Sequence, residues 1–213
     1  HSHPPPGKDY TVTGKLRDKA TGEVILDTDG NEITASRNFT PDEADGSVDI
    51  TFHITDASIL MGKTTVAFET VSYGDRELAI HADINDDDQT VYFPEIGTTA
   101  TVGGVHEVAR DRTMTLVDVV EYKSLEPGKE YTVKGILMDT KTGEPFKQGD
   151  KEISAEITFT PDKPDGTVEL SFEFDSSVLT EDTTLVAFET VLNGEKEVAV
   201  HADLKDEGQT VII

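Results

Sequence analysis

The sequence has no cysteine and no tryptophan, and its 18 lysines and arginines face 43 aspartates and glutamates. Without cysteine there are no disulfides, no thiol catalysis and no thiolate metal sites. The shortage of cations leaves a formal charge of −25. A surface that negative repels phosphate backbones and anionic lipid headgroups, so neither nucleic acid nor a membrane surface is an expected partner. No apolar run approaches the roughly 18 residues of a membrane-spanning helix. No secretion leader or sorting tail is recognisable, so the 213 residues read as a piece of something longer or matured. A hydrophobic content of 35% supports only modest cores.

What is present repeats. PGKDYTVTGKLRDKATGE from Pro6 returns as PGKEYTVKGILMDTKTGE from Pro127, and NFTPDEADGSVDITFHI from Asn38 as TFTPDKPDGTVELSFEF from Thr158. TTVAFETV from Thr64 returns as TTLVAFETV from Thr183, and HADINDDDQTV from His81 as HADLKDEGQTV from His201. The offset is 121 at Pro6 and 120 at His81, so one deletion separates the copies. Order and spacing kept over this length mean two tandem domains, 1–93 and 94–213. About 30 residues lie between Pro94 and Pro127, but only His1–Pro5 precede Pro6. The first copy is therefore expected to lack its opening strands.

Within each copy Val, Ile, Thr and Phe alternate with polar residues at period two, as in Tyr131-Thr-Val-Lys-Gly-Ile-Leu and Thr167-Val-Glu-Leu-Ser-Phe-Glu-Phe. Turn clusters such as Lys141-Thr-Gly-Glu and Asn193-Gly separate the runs, about 8–12 residues apart, and no helical stripe exceeds two turns. The expected class is all-β, two tandem Ig-like sandwiches.

Most catalytic patterns are missing. There is no Gly-x-Ser-x-Gly elbow, and Gly103-Gly104 lacks the lysine and helix of a phosphate loop. Asp83-x-Asn85-Asp86-Asp87-Asp88 has the acids of a calcium loop without its glycine or distal glutamate, so a solvated turn is the better reading and no metal or cofactor is expected. Three polar features recur in both copies at one spacing, twelve residues from Glu to His and eight from His to Gln. They are Glu69 and Glu189, His81 and His201, and Gln89 and Gln209, with Asp86 and Asp206 in the intervening turns. Taken singly, each reads as an ordinary strand or turn residue. By alternation Glu189 shares a face with Ala187 and Val191, where a carboxylate is expensive unless paired or protonated.

VAFET together with HxDxxDxxQT resembles the signature of VaFE-repeat, or Thr–Gln ester-bond, domains of surface-anchored adhesins of Gram-positive bacteria. Ile96-Gly-Thr-Thr-Ala resembles that family's opening strand, and Asp118-Val-Val-Glu-Tyr its second-strand motif. The resemblance implies a spontaneous side-chain ester between an opening-strand threonine and Gln209, with loss of ammonia. Ile96, Thr98 and Ala100 share one face of that strand while Thr99 lies on the other, so Thr98 is preferred to Thr99. The implied roles are His201 as base and relay, Asp118 orienting the imidazole, Glu189 as a protonated acid and Asp206 supporting from the turn. Copy one keeps Glu69, His81, Asp86 and Gln89 without a threonine partner, because Thr11 and Thr13 align with Thr132 and Lys134 of a later strand.

The expected function is a non-enzymatic, extracellular stalk fragment of an adhesin, wall-anchored through parts of the parent protein beyond this sequence. Its expected partners are neighbouring repeats, with strand donation to the first domain. A ligand- or glycan-binding module is the alternative, disfavoured by few aromatics, most of them in strand patterns. A Glu/His/Asp hydrolase would need an open pocket.

Overall fold

The computed structural model describes residues 5–213, so the first four positions of the 1–93 domain lie outside the described residues. The chain divides into two compact units, His1–Phe93 and Pro94–Ile213. Both are built of antiparallel strands. Among the described residues there is no α-helix, and hence none long and apolar enough to cross a membrane.

Unit 1 contains β1 (Tyr10–Asp18), β2 (Thr34–Phe39), β3 (Lys63–Tyr73), β4 (Arg76–His81) and β5 (Thr90–Phe93). They form one sheet in the order β2-β1-β3-β4, with β5 also on β3. Unit 2 begins with β6 (Glu95–Thr101) and β7 (Met114–Lys123), which have no counterpart among the described residues of unit 1. It continues with β8 (Tyr131–Asp139), the short β9 (Glu144–Pro145), β10 (Lys147–Gln148) and β11 (Lys151–Glu152), and β12 (Ser154–Phe159). It ends with β13 (Gly166–Phe174), β14 (Thr184–Asn193), β15 (Lys196–His201) and β16 (Thr210–Ile212). The larger sheet, β12-β8-β14-β15 with β16 on β14, repeats the sheet of unit 1 and adds the short β9 on β8. Facing it is a second sheet, β13-β7-β6. The architecture is two tandem Ig-like sandwiches, the first without its opening strands.

Period-two alternation builds the core of unit 2. Leu116 and Val120 of β7 with Leu170 and Phe172 of β13 form one inner face, and Leu137, Leu185, Ala187 and Val191 the other, each no more than 1% exposed. Unit 1 has a thinner core, in which Leu16, Ile25, Ile33 and Leu60 pack with the half-buried Phe52 and Ile54.

Residues 47–55 of unit 1, which take in all but the first position of the β13 equivalent, carry the same alternation but do not form a strand. Their side chains are nevertheless seated as in unit 2. A Cβ on Gly14 would lie 2.4 Å from Ile50 Cδ1 and 2.6 Å from Phe52 Cζ, and one on Gly135 2.6 Å from both Leu170 Cδ1 and Phe172 Cζ. Both glycines exist to let the facing segment approach. What 47–55 lacks among the described residues is a paired strand, Arg37 Nη1 alone being bonded to the Asp49 carbonyl at 3.0 Å, whereas β13 is paired along its whole length by β7. Strand propensity without a partner does not make a ladder.

This difference predicts unequal responses to one substitution. Gly135→Val must displace side chains fixed in a paired strand and is expected to lower stability by about 1–3 kcal/mol. Gly14→Val pushes on a segment free to retreat and is expected to cost clearly less. Denaturant midpoints of the two variants check the order.

Candidate functional site

Five polar side chains from both sheets of unit 2 converge. Glu189 sits on β14 among inward-facing Leu185, Ala187 and Val191, and is 1% exposed. Across the β14–β15 ladder it is directly opposite His201. Gln209 closes a short 3-10 turn capped by Asp206, whose carboxylate accepts from Gly208 N at 2.8 Å, and is fully buried where β16 begins. From the smaller sheet comes Thr98, on the inward face of β6 with Ile96 and Ala100, whereas Thr99 is exposed. Asp118, cross-strand partner of Ala100 on β7, is fully buried.

Gln209 Nε2 donates to Thr98 Oγ1 and, at 2.5 Å, to Glu189 Oε2. The Thr98 hydroxyl itself donates to Glu189 Oε2 at 3.3 Å. One carboxyl oxygen thus touches both the hydroxyl and the amide nitrogen. On the far side of Glu189, Oε1 and the Asp118 carboxyl meet no side-chain donor but each other, and the Thr99 backbone amide faces Asp118. Two ionised carboxylates cannot bond to each other, so this arrangement needs a proton. Burial, then the Asp118 charge, then the hydrogen bond to Asp118 push Glu189 up to about 9. Burial also raises Asp118, against the opposing effects of the Glu189 hydrogen bond and the His201 charge. Both carboxyls are thus pushed towards the protonated form, and a proton between them lets Glu189 donate to Asp118.

The imidazole is held by the turn. His201 Nε2 lies 2.9 Å from Asp206 Oδ2, which fixes a hydrogen on that nitrogen, and the buried Nδ1 is left as the free ring position. The orienting carboxylate at the ring is therefore Asp206; Asp118 faces Glu189. Gln209 Oε1 is also buried without a donor. One contributor is invisible to pattern reading. A Cβ on Gly208 would come within 3.1 Å of Asp206 Oδ1, so glycine leaves room for the carboxylate that caps the turn.

Unit 1 assembles only part of this set. His81 Nε2 lies 2.8 Å from Asp86 Oδ2 and Nδ1 3.7 Å from Glu69 Oε2. Glu69, half-buried, is raised by burial, partly offset by His81. No residue among those described stands where Thr98 and Asp118 stand; Thr11 is on β1, paired with Ser72 at the far end of β3. The acidic turn uses its carboxylates internally: Asp83 accepts from Asn85 N and Asp86 from Asp88 N, each at 2.9 Å. No group of three or more metal-ligating side chains occurs among the described residues.

An adhesin from Mobiluncus mulieris, solved in two crystal forms and described as containing intramolecular disulfide, isopeptide and ester bond cross-links, is 18% and 19% identical, with a TM-score of 0.47 in each. The match covers 56% of this chain and 56% of the adhesin, so this chain spans about half the length of that relative. A β-glycosidase from Bacteroides vulgatus matches 96% of this chain with 23% of its own, at 11% identity and a TM-score of 0.36. No curated protein matches. The model of the T-Q ester bond containing domain matches twice, over residues 3–93 and 94–213. Spanning nearly the whole sequence, the two matches place this chain in the T-Q ester bond domain family.

Proposed function

We propose that unit 2 is a load-bearing module of an extracellular adhesin stalk, closed by an autocatalytic ester between Thr98 Oγ1 and Gln209 Cδ. The observation that carries this reading is the Thr98 hydroxyl packed against the Gln209 amide nitrogen with Glu189 Oε2 bonded to both. The description of the Mobiluncus adhesin as ester-cross-linked supports the stalk setting. The chain turns over no external substrate in this account; the cross-link forms once per molecule.

The chemistry follows from the contacts. Oγ1 attacks Cδ, forming the C–O bond, as the hydroxyl proton passes to Glu189 Oε2 and the proton on Oε1 moves to Asp118. Asp118 is the eventual base, made stronger than an ordinary carboxylate by burial. Oε2–H then protonates Nε2, the C–N bond breaks, ammonia leaves and Asp118 returns its proton. His201, held by Asp206, keeps its buried Nδ1 as the free ring nitrogen for proton transfer. Proximity compensates for a weak nucleophile and a poor leaving group. The dry core then protects the ester from water.

Intact mass of the purified chain is expected to fall short of the sequence mass by one ammonia, and Thr98→Ala to restore it. Pulled from its ends, esterified unit 2 should not extend, because β6 and the start of β16 are joined, whereas Thr98→Ala should extend fully. The link closes a loop of 111 residues, for which chain entropy gives about 4–5 kcal/mol.

Asp118→Asn and Glu189→Gln keep shape and remove one proton site each. Each is expected to slow ester formation about 10²–10⁴-fold, read as slow appearance of the lighter species in folded protein.

Stability should also depend on pH when the ester is absent. Glu189 is raised in the fold from 4.5 to about 9, so the unfolded chain releases this proton first. The contribution is fully present below 4.5, declines as pH rises, and is gone above about 9. Denaturant midpoints of Thr98→Ala should fall between about pH 6 and about pH 8, and adding Glu189→Gln should flatten that slope.

A further inference from the structure

β16 has two edges. Towards β14 it uses the backbone groups of its odd-numbered residues: Leu185 is opposite Val211, and Thr183 and Ile213 exchange bonds at 3.0 and 2.9 Å. By the alternation of an antiparallel ladder, Thr210 and Ile212 present theirs to the other side. There a strap, residues 102–108, leaves the end of β6 and folds back. Val102 and Val105 bond to each other at 3.0 and 3.2 Å around Gly103 and Gly104, whose φ angles of 59° and 85° are those of a type I′ turn. Residues 106–108 then run parallel to β16. Ile212 N donates to the His106 carbonyl at 2.8 Å, and Val108 N to the Ile212 carbonyl at 3.0 Å. Two residues nearer the site, the Thr210 carbonyl accepts from His106 Nδ1 at 3.0 Å. A carbonyl can only accept, so Nδ1 carries the hydrogen. The Thr210 hydroxyl in turn donates to the Asp206 carbonyl at 2.6 Å, so one residue joins the strap to the turn that carries Gln209.

Burial does not explain this strap, since Val105 is 49% exposed and His106 and Glu107 are exposed as well. What it does is connect the two strands that carry the reacting groups. Thr98 is on β6, which is paired with β7 in the smaller sheet, and Gln209 opens β16, which is paired with β14 in the larger. Each ladder fixes its strand within its own sheet. Neither ladder fixes how far β6 sits along β16. The strap does so directly, because it starts four residues after Thr98 and its imidazole holds the residue that follows Gln209.

We propose that the strap sets the alignment of Thr98 with Gln209, and that His106, whose bond goes to neither of them, is a positioning residue for the cross-link. The alignment matters through the ester chemistry proposed above, on which this inference rests. A weak nucleophile and a poor leaving group depend on proximity, and a misplacement of about 1 Å costs roughly 10²-fold in rate. Without the imidazole the Thr210 carbonyl turns to solvent, the start of β16 is held by its β14 edge alone, and Oγ1 meets Cδ less often in the productive geometry. Because His106 is exposed, replacing it empties no part of the core, and the fold of unit 2 survives the test.

The test follows ammonia loss in the whole chain, made by cell-free translation, halted, sampled over time and weighed intact. His106→Ala is expected to slow the appearance of the lighter species by about 10–10²-fold. His106→Asn keeps a donor where Nδ1 stands and is expected to restore the wild-type rate. His106→Gln, whose nitrogen lies one bond further out, is not. Denaturant midpoints of Thr98→Ala with and without His106→Ala should stay together, which separates alignment from stability. A wild-type rate in His106→Ala would overturn the proposal, as would equal slowing by His106→Asn or a midpoint that falls in step with the rate. A wild-type chain that keeps its ammonia counts against the Thr98–Gln209 reading, and NMR of that unreacted chain then decides the strap. A nuclear Overhauser contact between the Thr98 methyl and the Gln209 side-chain amide, present in wild type and lost in His106→Ala, supports the alignment; any other pattern overturns it.

Discussion

One proton between Asp118 and Glu189 is the constraint on which the rest of unit 2 depends. The two acids approach from opposite sheets into a core that excludes water, where two negative charges side by side are prohibitively unfavourable. Sharing a proton relieves that, joins the sheets by a hydrogen bond, and leaves Glu189 Oε2 turned towards Thr98 and Gln209. The surrounding apolar residues keep the proton in place by keeping solvent away, and the same dryness later preserves an ester. Burial, protonation and reactivity are therefore one arrangement.

The two units form an internal comparison. They share the larger sheet, the glycine that admits the facing segment, the glutamate and histidine in cross-strand register, and the aspartate that caps the histidine turn. They differ in the β6–β7 pair. Without that pair Glu69 is half-buried in place of fully buried, the β13 equivalent loses its ladder, and an inner face lies open. Two strands thus decide whether the same polar set is sealed or accessible.

Much of this was legible in the sequence, and for physical reasons. The repeat fixes two equivalent folds, and alternation within Ile96–Ala100 turns Thr98 inward and Thr99 outward because a strand has only two faces. Alternation also put Glu189 with Ala187 and Val191, yet it could not tell whether that face was covered; burial depends on β6 and β7, far away in sequence. The placement of Asp118 beside Glu189 depends on inter-sheet packing that no local spacing encodes, whereas Asp206 reaches His201 within one turn, as Asp86 reaches His81 in unit 1. Gly208 gives no signal in composition, because the room it leaves for the Asp206 carboxylate is set by the fold of the turn. Residues 47–55 have the composition of a strand and lack only a neighbour, which composition does not report.

The most direct measurement is peptide mapping of the folded, purified chain by tandem mass spectrometry. The account predicts one cross-linked pair of peptides, joined at Thr98 and Gln209 and lighter than their sum by one ammonia, with Thr99 unmodified. Recovery of the two peptides separately, with Gln209 an intact amide, or a link through any other residue, would contradict it.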